Sequence, residues 1–215
     1  MLTINPRKPS GGIDLPFRVR YFDDAMDDVL WHKLAETFPT EGEMHTLNAV
    51  GSKNSLCDRD DAFLAYVDEQ PEWKAFHAWL RREFPRICVD IFGMKPGGKR
   101  SVRFEFSSLP GTGGEVTPHP DTSKKLATAV MYFDSNWDES WGGAFEALRH
   151  KTAPDADWTD RRPPWEEVET VLSVPVAPRR IGFMLRANNS LHGVRPMSAP
   201  RPRRTITVNL IGEAA

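Results

Sequence analysis

Cysteine is scarce in this chain of 215 residues, with only Cys57 and Cys88 present. Two cysteines make no disulfide framework, and their spacing is not that of a zinc–thiolate site. Free thiols suit a reducing compartment, so a cytoplasmic location is expected. Charge of one sign is also missing: 28 Lys and Arg against 30 Asp and Glu leave a formal charge of −2. That balance offers no global field for nucleic acid or for an anionic membrane surface, and neither partner is expected. No apolar run approaches the roughly 20 residues that span a bilayer. Residues 1–12 carry Pro, Gly and charge without an apolar segment, so no signal peptide is expected. There is no H-E-x-x-H, which removes the helical zinc-hydrolase signature. Internal repeats and low-complexity blocks are missing too, which leaves a single unrepeated unit to explain.

What is present suffices for a folded domain. Apolar residues make up 40% of the chain and aromatics 10%, enough to bury a core. Residues 1–14 read as an N-terminal tail and 15–215 as one domain, with helices in 15–95 and a β-rich core in 96–215. Residues 16–22 alternate loosely and predict a first strand. Asp23 and Asp24 offer N-cap chemistry before Met26, Leu30, Leu34 and Phe38, whose spacing of four predicts an amphipathic helix. Residues 40–62 are polar and irregular, a loop by composition. Pro71 opens a second helix that buries Trp73, Phe76, Leu80 and Phe84, and Pro85 ends or bends it.

The texture changes near residue 100. Val102, Phe104 and Phe106 alternate with Arg103 and Glu105, the period of a half-buried strand. Short strands follow at residues 126–133, 143–148, 170–176, 181–185 and 205–211. A charged insertion with Trp158 and Trp165 occupies 150–167. Many short strands without intervening helices predict a β-sandwich or barrel against which the N-terminal helices pack.

Within that pattern, His119-Pro120-Asp121 places an imidazole and a carboxylate two residues apart. On an extended segment both point to one face, so one cation can take both. His192 lies far downstream, and Arg203 heads the last strand. Two imidazoles and one carboxylate suit a divalent transition metal and leave coordination positions open, as in a non-haem iron(II) oxygenase.

Four segments, in order, resemble the iron(II)- and 2-oxoglutarate-dependent dioxygenases, in particular the prolyl-4-hydroxylase-like group. They are the H-x-D at His119 and Asp121, and Tyr132-Phe133-Asp134 with Trp137 and Gly142-Gly143. Then come His192-Gly193-Val194-Arg195-Pro196 and Arg203-Arg204-Thr205. Asp134 and Arg195 depart from the family's usual residues. The resemblance covers roughly residues 100–212.

It implies a double-stranded β-helix, or jelly-roll barrel, mainly β with α, flanked by N-terminal helices. It implies iron on His119, Asp121 and His192, and 2-oxoglutarate on Arg203, with Arg204 as the alternative and Tyr132 and Thr205 assisting. O2 would be the second cosubstrate and ascorbate a stimulant. The implied reaction hydroxylates an unactivated C–H bond and releases succinate and CO2. The substrate would be a protein or peptide side chain, a prolyl one among the options, or a small metabolite. Residues 51–61, Arg103, Arg195, Trp158 and Trp165 are the candidates for contacting it. The other class compatible with the histidines is a non-enzymatic, cupin-type metal-binding or ligand-sensing barrel, which has no need of Arg203 and Tyr132.

Overall fold

Alternation along the long strands decides how the chain is layered. The computed structural model describes residues 1–47 and 53–212. Its strands are β1 (Gly11–Ile13), β2 (Val19–Phe22), β3 (His45–Leu47), β4 (Lys53–Cys57), β5 (Arg100–Leu109) and β6 (Val116–His119). They continue with β7 (Lys125–Tyr132), β8 (Phe145–His150), β9 (Val168–Val174), β10 (Ile181–Leu185), β11 (His192–Val194) and β12 (Arg203–Gly212). The helices are α1 (Asp28–Glu36), α2 (Asp61–Glu69) and α3 (Pro71–Phe92). One sheet runs β1-β2-β10-β7-β12-β5-β4-β3 and a smaller one runs β6-β11-β8-β9, with antiparallel pairing throughout. The two sheets form a jelly roll.

On β5, β7 and β12 successive side chains face opposite ways. Phe104, Phe106, Ala129, Met131, Ile206 and Val208 join the helices' Trp31, Leu34, Phe63, Trp73, Phe76, Leu80 and Phe84 in one buried cluster. Burial of each large apolar side chain stabilises this layer by about 1.5–3 kcal/mol. The other face of the same strands carries Glu105, Ser107, Thr128, Val130, Arg203, Thr205, Thr207 and Asn209, which line an internal cavity. At one end of the space between the sheets, Tyr132, Phe145, Ala147, Val174 and Met184 form a second core.

Several local expectations change. Gly11–Ile13, inside the stretch expected to be a tail, pairs with β2, and Thr3 N donates to Ala25 O at 2.8 Å. The cap of α1 is Asp27, whose carboxylate accepts from Leu30 N at 3.0 Å. Asp23 and Asp24 are instead taken by Arg180 and Arg179. The loop expected over 40–62 contains β3, β4 and the start of α2. Pro85 does not end α3. The helix continues to Phe92 and stops at Gly93, whose φ of 63° is the left-handed cap that glycine adopts without strain.

Candidate metal centre

Strand register, not nearness in sequence, brings the histidines together. His119 closes β6 and His192 opens β11, and the two are directly paired across the antiparallel ladder. Their ring centroids are 4.4 Å apart. Asp121 follows His119 in the turn that leads to β7. His119, Asp121 and His192 each offer a ligand atom, all within 4.8 Å of one another, the one such group among the described residues.

The imidazoles are oriented from behind. His119 Nδ1 lies 2.8 Å from Thr117 O, and His192 Nδ1 lies 3.0 Å from Ser190 O. A carbonyl only accepts, so each Nδ1 carries the proton and each Nε2 presents a lone pair. Burial pushes His119 down to about 3, with His192 adding to the effect and Asp121 opposing it. Burial lowers His192 as well. Both rings are therefore neutral near pH 7, the form that binds a metal. Burial of Asp121 works against its charge. Lys125, His192 and the hydrogen bonds from Lys125 and Thr128 outweigh it and hold the carboxyl well below the usual range. Two neutral nitrogens and an anionic oxygen on one side of a cavity fit a divalent cation of the iron(II) class.

The cavity, about 120 Å³, runs from these three residues to Arg203 and Thr205. Arg203 is buried, its Nε has no partner, and among the described residues its side chain forms no ion pair or hydrogen bond. Its guanidinium lies 5.1 Å from the centroid of the Tyr132 ring. Asp134, the carboxylate that feels Arg203, is already paired with Arg204, and a buried cation is costly unless a ligand supplies a counter-charge of its own. The arrangement fits a ligand with a distal carboxylate.

The Trp and Gly-Gly positions support Arg203. Trp137 Nε1 donates to Gly142 O at 2.9 Å. Gly143 has a φ of 85°, and a Cβ there would come within 3.1 Å of Arg203 Cδ and 2.8 Å of Met197 Sδ. Arg204 turns to the opposite face. Its Nε donates to Asp134 Oδ1 at 3.1 Å, its backbone N–H to Asp134 Oδ2 at 2.7 Å, and Nη1 to Ala35 O at 3.0 Å.

Tyr132 differs from the expectation. Its hydroxyl donates to Val174 O at 2.9 Å and accepts from Phe145 N at 3.2 Å, so it ties the two sheets together and does not line the cavity. Trp158 stacks on His150 at 4.3 Å and donates to Ala153 O, within the insertion's own packing. Arg195 pairs with Glu146 at 3.0 Å and lies over Trp165 at 4.5 Å. Arg103 faces Asp58 at 3.7 Å. None of Trp158, Trp165, Arg195 and Arg103 lines the cavity. Of residues 51–61, positions 51 and 52 lie outside the described residues, and Lys53 does line it.

Other cavity residues had no motif to mark them. Lys125 Nζ lies 2.5 Å from Asp121 Oδ1, and Thr128 Oγ1 donates to Asp121 Oδ2 at 2.6 Å. Thr128 also sits 3.0 Å from Asn209 Oδ1. The available signal was the period of two. Thr207 and Asn209 share the face of Arg203 and Thr205, and Thr128 is a polar residue between the apolar Ala127 and Ala129.

The model of the 2OG-Fe(II) oxygenase superfamily matches residues 104–211. No curated protein matches by sequence. Among solved structures, the chain is similar to a prolyl-4-hydroxylase from Pseudomonas putida, with 15% identity, 91% of this chain and 92% of that one covered, and a TM-score of 0.52. It is similar to a prolyl hydroxylase from Trichoplax adhaerens, solved in complex with a hypoxia inducible factor oxygen degradation domain peptide fragment. There the identity is 13%, the coverage 90% and 83%, and the TM-score 0.55. An oxidoreductase of the 2OG-Fe(II) oxygenase family from Burkholderia pseudomallei matches with 12% identity, 91% and 86% coverage and a TM-score of 0.56. At these identities the likeness is one of fold.

Proposed function

The chain belongs to the 2OG-Fe(II) oxygenase superfamily and is an iron(II)- and 2-oxoglutarate-dependent oxygenase; we propose that His119, Asp121 and His192 hold its iron and that Arg203, with Thr205, holds the cosubstrate. The observation that carries this reading is the pairing in one cavity of two neutral imidazoles and a carboxylate with a buried arginine side chain that has no ion-pair or hydrogen-bond partner. A metal-binding barrel without oxygenase chemistry has no use for that arginine.

Iron and 2-oxoglutarate, when bound with O2, supply the chemistry that hydroxylates a C–H bond and releases succinate and CO2. The chain's own residues prepare the place. Thr117 O and Ser190 O fix the imidazole tautomers, and Thr128 holds one oxygen of Asp121. Arg203 offers a planar fork that matches two carboxylate oxygens, and the Tyr132 ring beneath limits its freedom. Phe145 and Val130 close the cavity with apolar surface, which keeps water from competing for the site.

The substrate is an unactivated C–H bond of a peptide or protein side chain, a prolyl ring among them, or of a small metabolite. Ascorbate stimulates turnover by keeping the iron reduced. Residues 15–215 act as one oxygenase domain, since helices and sheet share one buried cluster, and the preceding stretch joins it through Gly11–Ile13 on β2 and Leu2 and Ile4 against that cluster. Cys57 and Cys88 are both free, which supports a cytoplasmic location. No helix among the described residues is long and apolar enough to cross a membrane.

The test is succinate formation from 2-oxoglutarate with Fe(II), O2 and ascorbate. His119→Ala and Asp121→Ala are expected to abolish it. Arg203→Ala is expected to lose 2-oxoglutarate binding while Mn(II) binding survives, and Arg204→Ala to keep both. Loss of cosubstrate binding in Arg204→Ala with Arg203→Ala unaffected would reverse the assignment.

A further inference from the structure

Lys125 is a cation to which the iron site gives no task. Its ammonium contacts Asp121 Oδ1 at 2.5 Å, while Thr128 holds Oδ2 at 2.6 Å. Thr128 is neutral and is itself beside Asn209, which suits a lasting outer partner of a ligating carboxylate. Oδ1 is then the oxygen left for a metal, and here it is the oxygen that the ammonium covers. A divalent metal on that oxygen sets a double positive charge beside a single one, in a cavity where charges are weakly screened. Lysine has a flexible four-carbon stem and three donors that re-aim freely. A quarter of this side chain is exposed and lines the cavity. The neighbouring carboxylate, Glu105, is already held by Lys53 Nζ at 2.5 Å and Ser107 Oγ at 2.9 Å.

We propose that metal binding at this site is a cation exchange: the metal displaces the Lys125 ammonium from Asp121 into the cavity, where it becomes the receptor for an anionic group of a bound molecule. The proposal rests on the iron site described above. The group is a carboxylate or a similar anion, from 2-oxoglutarate itself or from the primary substrate. Charge favours the primary substrate. The lining holds Lys53, Lys125 and Arg203 against Glu105 and Asp121, iron(II) and 2-oxoglutarate cancel, and one cation remains unmatched.

The experiment uses the whole protein with Mn(II) as a redox-silent stand-in. By titration calorimetry, Lys125→Met is expected to bind Mn(II) about tenfold more tightly than the wild type, or better, because no ammonium has to be expelled. Lys125→Arg, which keeps the charge, is expected to stay near wild type. In the wild type, acylation of Lys125 by an amine reagent, read by peptide mass spectrometry, is expected to rise several-fold when Mn(II) is added. That arm needs no variant to fold. Protection of Lys125 by adding 2-oxoglutarate identifies the cosubstrate as the anion. Protection only by inorganic phosphate or acetate, on top of 2-oxoglutarate, identifies a second anion site for the substrate. No protection by any of these overturns the receptor role. Equal Mn(II) affinity in wild type and Lys125→Met, with unchanged acylation, overturns the exchange while leaving the metal site standing. A wild type that binds no Mn(II) overturns the metal site itself.

Discussion

Tyr132 illustrates how a residue can keep its place in a motif and change its task. Its sequence position matches a hydroxyl that would bind the cosubstrate. In this fold the hydroxyl meets Val174 O and Phe145 N, and the ring lies under Arg203. Tyr132→Phe is therefore expected to lower stability by about 1–3 kcal/mol, because it leaves buried backbone groups unpaired. The KM for 2-oxoglutarate should stay within about twofold, since Phe keeps the ring under the guanidinium. Denaturant unfolding and steady-state kinetics separate the two effects. A tenfold rise in KM with unchanged stability would show that the hydroxyl reaches the cosubstrate. Asp134 makes a similar point. As the counter-charge of Arg204 it holds that arginine on the helix side, which leaves Arg203 for the cavity.

At the scale of elements, α3 overrides a local rule. Pro85 removes a helical donor and its ring crowds the carbonyl one turn back, a cost of about 3 kcal/mol in an ordinary helix. Trp73, Phe76, Leu80 and Phe84 before it, and Ile87, Cys88 and Phe92 after it, are all buried on one face against the large sheet. Their combined burial exceeds that cost, so the helix runs through. Pro85→Ala is expected to raise the unfolding midpoint, with a gain of about 1–3 kcal/mol. A lower midpoint would mean that the proline bend is needed to seat Phe84 and Ile87 together. The insertion over 150–167 is fastened in its own way. Asn188 Nδ2 donates to Asp157 at 2.8 Å, Arg186 Nη2 to Thr159 at 2.9 Å, and Trp158 stacks on His150. Trp158 serves this packing, while Trp165 donates to Glu115 at 3.2 Å and lies beneath Arg195.

For the whole molecule, buried neutral histidines tie stability to pH. His77 sits between Phe63 and Phe104, its Nε2 has no partner, and burial followed by Arg81 lowers it to about 4 from 6.5. The unfolded chain takes up a proton there that the folded chain refuses. The contribution is thus complete above pH 6.5 and is lost as pH falls from 6.5 towards 4. His119 and His192 act in the same sense in the metal-free protein. Thermal unfolding of that form is expected to drop steadily over this window, and His77→Leu to flatten the slope. An unchanged slope in His77→Leu would mean that His77 does not contribute to it.

The sequence by itself determined the strand periods, the buried face of the helices, the ligand types of the H-x-D and distal histidine, and the order of the motifs. These depend on residue chemistry and on spacing within one segment. The tertiary structure decided what depends on strand partners. Register set His192 opposite His119 and aimed Arg203 inward and Arg204 outward. The second sheet took the Tyr132 hydroxyl, and the turn before β7 put Lys125 on Asp121. Side chains from distant segments meet only after the sheets close, and a shift of one residue would turn every one of them to the other face.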